Sequence, residues 1–144
     1  MNVFRFKVIT KKHPTESFRK IATALNAIVE GEVLEEKVGE ETYLYIEKNN
    51  YSALEKLYEL VRKQRILDVS RKTLRNNIVG QSTIFYVNKQ VAFIGKINFC
   101  DEIGESPLGP IRVELEHEKI EQLVDWLTPY TKNGVEVTLV KKFP

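Results

Sequence analysis

The stretch from Val87 to Leu115, VNKQVAFIGKINFCDEIGESPLGPIRVEL, constrains the fold more than any other part of the chain. It holds two apolar, β-favouring runs. Between them lies a loop containing Gly104, Pro107, Gly109 and Pro110. The prolines lack an amide donor and restrict the residue before them, so neither a strand nor a helix continues through the loop. Ser82–Val87 and Val91–Phe99 are expected to be paired strands joined by a tight turn at Asn88 and Lys89, because asparagine tolerates a left-handed backbone. Ile111 to Leu115 then resumes as strand, and the loop between is a crossover.

The rest of the chain supplies partners for these strands. Residues 2–10 alternate apolar and basic side chains, the period of a half-buried strand. Pro14 suits a first helical turn and Glu16 the positive end of a helix dipole, so a helix is expected to follow, with Phe18, Ile21, Leu25 and Ile28 on one stripe and Gly31 at its end. Val33–Val38 and Thr42–Glu47 read as a hairpin about Gly39 and Glu40. Asn50 is a candidate N-cap for a helix burying Leu54, Leu57, Tyr58 and Val61. A bend near Gln64 or Arg65 leads into a second helical segment from Arg65 to Ile78, with Ile66, Leu67, Leu74 and Ile78 inward, closed by Gly80. Glu118–Leu127 is a short helix burying Ile120, Leu123, Val124 and Leu127 with Trp126 beside them. Val135–Val140 is a last strand after a turn at Asn133 and Gly134. This order predicts an α+β fold, a mostly antiparallel sheet with helices on one face, in a single domain over 1–144.

Bulk properties narrow the function classes. The chain has 144 residues, 42% hydrophobic, enough for one core. Charge interrupts every apolar run, which argues against a membrane span, and the first residues read as a strand rather than a signal peptide. A cytoplasmic protein is expected. Cys100 is the only cysteine, and with it stand only two histidines, so no Cys/His metal spacing exists. Abundant Lys, Glu and Ile, with one Cys and one Met, is a thermophile-like composition. The net charge of +2 is far from the strongly basic balance of a dedicated nucleic-acid binder. The distribution is uneven, however: residues 51–80 hold seven Lys/Arg against three Asp/Glu, and residues 81–144 hold seven against nine.

No motif supplies a set of catalytic groups. The glycines at 104 and 109 have the spacing that begins a phosphate loop, but Pro110 and Ile111 stand where Lys and Ser or Thr are needed. Ser106 lacks the glycine two residues later that a hydrolase elbow requires. Asp101, Glu102 and Glu105 bring carboxylates together without a calcium-loop pattern, and solvated loop charge is the simpler reading. Cys100 is expected to pack in the core, and His117, set among glutamates, to be an ordinary surface imidazole. No catalytic, metal or cofactor residue is assigned, and no small-molecule substrate is evident. The best functional candidate is the basic group Arg62, Lys63, Arg65, Arg71, Lys72 and Arg75, opposed within that stretch only by Asp68. Such a group could track phosphates, although a helix's wet face is often simply charged.

Four blocks, LYELVRKQRILDVS from Leu57, VNKQVAFIGKINF from Val87, ESPLGPI from Glu105 and WLTPYTKNGV from Trp126, resemble the successive blocks of the archaeal uncharacterised protein family UPF0201 over nearly the full length. The resemblance implies a fold similar to the five-S-RNA-binding ribosomal protein L5 (RL5-like), and a homodimer. It implies no established activity, since fold does not fix function. Two readings follow: a non-enzymatic protein acting as a homodimer or through a protein partner, or an RNA-binding module using the basic helix 62–75. The near-neutral charge weighs against broad RNA affinity.

Overall fold

A computed structural model describes residues 3–103, 108–133 and 135–136. Strand β1 (Phe4–Lys12) is the centre of the sheet, and its sequence explains why. Phe4, Phe6, Val8 and Thr10 are buried, whereas Arg5, Lys7, Ile9 and Lys11 are half-buried on the opposite face. On one side β1 pairs antiparallel with β3 (Glu41–Lys48), which pairs in turn with the edge strand β2 (Leu34–Val38). On the other side it pairs with β7 (Ile111–His117), and β7 with β5 (Ser82–Val87). The far margin of β5 is shared by two short strands, β4 (Ile78–Val79) and β6 (Phe99–Cys100). Every one of these pairings is antiparallel, giving the order β2-β3-β1-β7-β5-β4.

The helices carry the other half of the core. They are α1 (Phe18–Ile28), α2 (Glu55–Lys63, entered through a 3-10 turn at Tyr51–Leu54), α3 (Leu67–Asn76), α4 (Lys89–Phe93) and α5 (Ile120–Leu127). Their apolar stripes, among them Ile21, Leu25, Leu57, Val61, Leu74, Leu123 and Val124, join Phe6, Val8, Leu44, Phe85, Val113 and Leu115 of the strands in one buried cluster. A two-stranded hairpin, β8 (Thr131–Lys132) and β9 (Val135–Glu136), follows α5. The expected α+β architecture with a mostly antiparallel sheet is therefore observed.

Several local expectations are corrected. The segment after β5 is not a strand: Asn88 caps a helix, its side chain accepting from the Val91 amide at 2.9 Å, and the chain returns to the sheet only at Phe99, opposite Val87. A short apolar run does not distinguish strand from helix by period, and here the cap decides. Helix α1 starts four residues after Pro14, with Ser17 as its cap, so Glu16 lies outside it. Asn50 precedes the 3-10 turn but makes no side-chain cap bond. Helix α3 ends before Ile78, which pairs as strand with Thr83. The expected bend between α2 and α3 is real, since Arg65 has φ 58°. His117 is 2% exposed rather than on the surface; its ring packs against Phe4 and Tyr51, and its Nδ1 accepts from the Lys119 amide. Cys100 is half-buried at the sheet margin opposite Tyr86. Residues 104–107 and 137–140, which include Glu105, Ser106 and most of the last expected strand, lie outside the described residues.

Candidate nucleic-acid interface

The six cations of α2 and α3 fall into two sets, divided by helical phase. Arg62 points at α5 and the terminal hairpin. Its Nε donates to Glu136 Oε1 at 2.7 Å, and its Nη1 to the carbonyls of Tyr58 and Leu127 at 3.0 Å each. The guanidinium also lies 3.4 Å over the Tyr58 ring, which stacks on Trp126. Arg71 and Arg75, one helical turn apart, share Asp125 at 2.9 Å each. Arg71 is buried; it donates to the Thr128 carbonyl and covers the Tyr130 ring. Asp68, the one acid of the stretch, accepts from the Thr131 hydroxyl. These arginines hold α2 and α3 to α5, each engaged by a carboxylate, and Arg62 and Arg71 by carbonyls as well.

Lys63, Arg65 and Lys72 differ. All three are exposed, and among the described residues their side chains make no ion pair or hydrogen bond. Gln64, between the first two, holds a distant loop: its amide donates to the Ile97 carbonyl at 3.0 Å and accepts from the Ile97 amide at 2.7 Å. This two-point clamp sets the exposed Lys96 beside the α2–α3 junction. The structure thus brings a residue outside the predicted group to the two free cations. Nothing in the periodicity of either segment signals that contact.

The sheet face away from the core is charged but compensated. Arg5 pairs with Glu114 at 3.2 Å, Lys11 with Glu41 at 3.0 Å, and Arg112 with Glu114 at 3.2 Å. The first two join neighbouring strands, where pairs of opposite charge stabilise a sheet modestly, and the third lies within β7. Tyr43 and Tyr86 stand among them, Tyr43 donating to Glu41 at 2.6 Å. Burial lifts the Tyr86 phenol above its ordinary pKa; Arg112 pulls it down and Glu102 adds to the rise. Among the described residues no three His, Cys, Asp or Glu side chains are grouped as a metal site.

A buried cation, passed over in the sequence because Asn88-Lys89 reads as a turn, lies beneath the α1 cap. Lys89 is 4% exposed, and its ammonium donates to the Lys11 carbonyl at 2.9 Å, the Leu108 carbonyl at 2.8 Å and the Glu16 carboxylate at 3.2 Å. Three protons thus meet three acceptors, which is a structural staple rather than a nucleophile awaiting substrate. Burial lowers the Lys89 pKa, with Glu16 opposing. Burial pushes the Glu16 carboxyl up, but the amide and ring of His13 together with Lys89 outweigh it and hold the group below its usual value. The signal that could have located this staple is a lysine inside an apolar run just after an N-cap asparagine.

Comparison with known proteins places this arrangement. A family model described as RNA binding matches residues 5–117. The chain is 45% identical over 123 residues to a UPF0201 protein of Sulfolobus acidocaldarius, covering 85% of each chain. It is 39% identical over 126 residues to the UPF0201 protein PH1010 of Pyrococcus horikoshii, covering 87% of this chain and 89% of that one. The crystal structure of the UPF0201 protein from Methanococcus jannaschii superposes with a TM-score of 0.79 at 29% identity, over 93% of this chain and 99% of that one. The similarity in sequence and in architecture runs along most of the length, and the chain belongs to the UPF0201 family of archaeal proteins.

Proposed function

We propose that the protein is a non-enzymatic, cytoplasmic RNA-binding domain of the RL5-like kind, and that Lys63, Arg65 and Lys72 carry the contact with phosphate. The observation that supports this most is the division of the basic stretch. The arginines on the α5 side are occupied by carboxylates and carbonyls, whereas the cations on the outer side have solvent as their only partner among the described residues. Unpaired cations are the ones that release counterions on binding, so a net charge of +2 does not measure the affinity of this surface. The RNA-binding description of the matching family model leans the same way. Titration of a labelled structured RNA at two salt concentrations tests the reading. Replacing Lys63, Arg65 and Lys72 together by Ala is expected to weaken binding about ten-fold or more and to flatten the salt dependence by roughly two, at about 0.7 per lost single-strand phosphate contact. Affinity equal to that of the unmodified protein would end the proposal.

A homodimer has its own supporting observation. Strand β2 is an exposed sheet edge with Leu34 and Val38 open to solvent. A two-fold pairing centred on Glu36 sets Leu34 against Val38 of the partner subunit, and Glu35 against Lys37 of the partner subunit. The free backbone groups of such an edge can pair with a second copy, and in this register the charges of Glu35 and Lys37 complement each other. Sedimentation at micromolar concentration is expected to show a dimer that Val38→Pro dissociates; a monomer in the unmodified protein removes this second reading.

A further inference from the structure

The Gln64–Ile97 clamp has a second effect: it carries the chain from α4 outward, past Gly95 with φ 83°, and leaves three large apolar side chains in the open. Phe18 at the start of α1 is 47% exposed, Phe93 at the end of α4 41%, and Ile94 66%. They line one shallow hollow of about 780 Å³ with Arg19, Asn26 and Lys56. Phe93 is also a wall of the adjoining hollow, of about 410 Å³, that Ser17 and Lys20 enter. An exposed apolar cluster of this kind has a function more often than not.

Its rim says which. Arg19 and Lys56 line the first hollow, Lys20 lines the second, and Lys96 follows Ile94 by two residues; all four are exposed, and the Lys56 ammonium donates to the Asn26 carbonyl. The first hollow has no acidic lining residue, and the second has only Glu16, whose carboxylate is held by Lys89 and His13. Of the α2 carboxylates, Glu55 and Glu59, neither lines either hollow. Flat apolar rings flanked by cations match an unpaired nucleotide, whose base offers a π-face and whose phosphate offers charge. A duplex hides its base faces and would meet the cations alone. A hydrophobic protein partner would use the rings but gain nothing from the cations Arg19, Lys20 and Lys56 beside them.

We infer that Phe18, Phe93 and Ile94 form a stacking platform for unpaired bases of single-stranded RNA, continuous through Lys96 with the phosphate track at Lys63 and Arg65. The inference rests on the RNA-binding reading and adds to it the class of RNA. Two labelled RNAs of equal length, a single-stranded oligouridine and a closed hairpin duplex, test it by fluorescence anisotropy. The unmodified protein is expected to bind oligouridine more tightly than duplex. Phe18→Ala combined with Phe93→Ala is expected to weaken oligouridine binding about ten- to hundred-fold while leaving duplex affinity and the salt slope in place. Ile94→Ser, at the most exposed of the three positions, is expected to act in the same direction with an unchanged melting temperature, which separates loss of the platform from loss of the fold.

Equal affinity for both RNAs, with the aromatic variants silent and the lysine variants active, overturns the platform and keeps the RNA reading. Binding of neither RNA overturns both. A dimer in sedimentation that dissociates on Phe93→Ala, with RNA affinity unaltered, assigns the patch to a subunit contact and also overturns the inference.

Discussion

The inner and outer sides of the α2–α3 pair carry the same charges and use them in opposite ways. Arg62, Arg71 and Arg75 reach across to α5, where planar guanidiniums satisfy backbone carbonyls, share Asp125 and cover the rings of Tyr58 and Tyr130. Lys63, Arg65 and Lys72 face solvent. Counting cations along a sequence sees six equivalent residues; helical phase sees two populations. Arginine predominates on the inner side because it can saturate several acceptors at once, and lysine on the outer because a hydrated point charge is at ease there. The inner set should respond to mutation in stability, and the outer set in binding.

The largest effect is expected at Lys89, which extends the inner class to its limit. Lys89→Ala leaves the Glu16 carboxylate buried without its ammonium, and breaking a buried pair in this way costs about 3–5 kcal/mol. Urea unfolding measures it, and Glu16→Gln in the same chain should recover part of the loss. The pH dependence has a definite sign. The folded-state pKa of Glu16 is depressed, so its contribution is fully present above the ordinary glutamate range and is lost as pH falls through the depressed folded-state value. The unfolding midpoint of the unmodified protein should therefore drop more between pH 6 and pH 3 than that of Glu16→Gln. Equal drops would mean that Glu16 is no more anchored than a surface carboxylate.

Next in size is Arg71→Ala. The guanidinium is buried, but Asp125 is partly exposed and keeps Arg75, so about 2–3 kcal/mol is expected rather than the full cost of an orphaned buried charge. RNA affinity per folded molecule should be unaltered. The triple replacement of Lys63, Arg65 and Lys72 by Ala should do the reverse: stability within about 1 kcal/mol, as for exposed sites, with binding lost. A triple variant that melts early would break the comparison, because its cations would then belong to the fold.

What the sequence made legible follows the same division between local and distant causes. Period-two alternation in β1 and the apolar stripes of α2 and α5 emerge as read, as does that of α1 at Ile21, Leu25 and Ile28, since each is a property of a few neighbouring residues; Phe18, expected on the α1 stripe, is exposed instead. The antiparallel α+β sheet follows from their order. The strand expected at Val91–Phe99 fails because a polar residue before an apolar run can open a turn or cap a helix, and here the Asn88 cap, with Lys89 seated against Lys11 and Leu108, makes it a helix. Glu16, which suits a helix dipole by its sequence position, serves contacts with His13 and with a lysine 73 residues away. The burial of His117 depends on Phe4 and Tyr51, neither adjacent to it in sequence. The basic stretch was visible as a whole, but its partition was not, because Asp125 and Thr128 lie about fifty residues downstream of the arginines they engage.

The smallest expected effect gives the sharpest test of the outer class. Arg65 adopts φ 58°, a left-handed conformation that costs a non-glycine residue about 1 kcal/mol or more. Glycine is the residue that this bend between α2 and α3 would prefer on backbone grounds. If the side chain of Arg65 serves only solvent, Arg65→Gly relieves the strain, offset by the greater freedom of glycine in the unfolded chain, and stability should rise by a few tenths to about 1 kcal/mol. RNA affinity should fall several-fold, as for the loss of one phosphate contact. A gain in urea midpoint together with a loss in binding would show a charged residue kept at a position where the fold would be better served without it. A loss of stability beyond about 1 kcal/mol would instead place Arg65 with Arg62 and Arg71 among the residues that hold the helices together, and the division between the two sides would have to be redrawn at the bend itself.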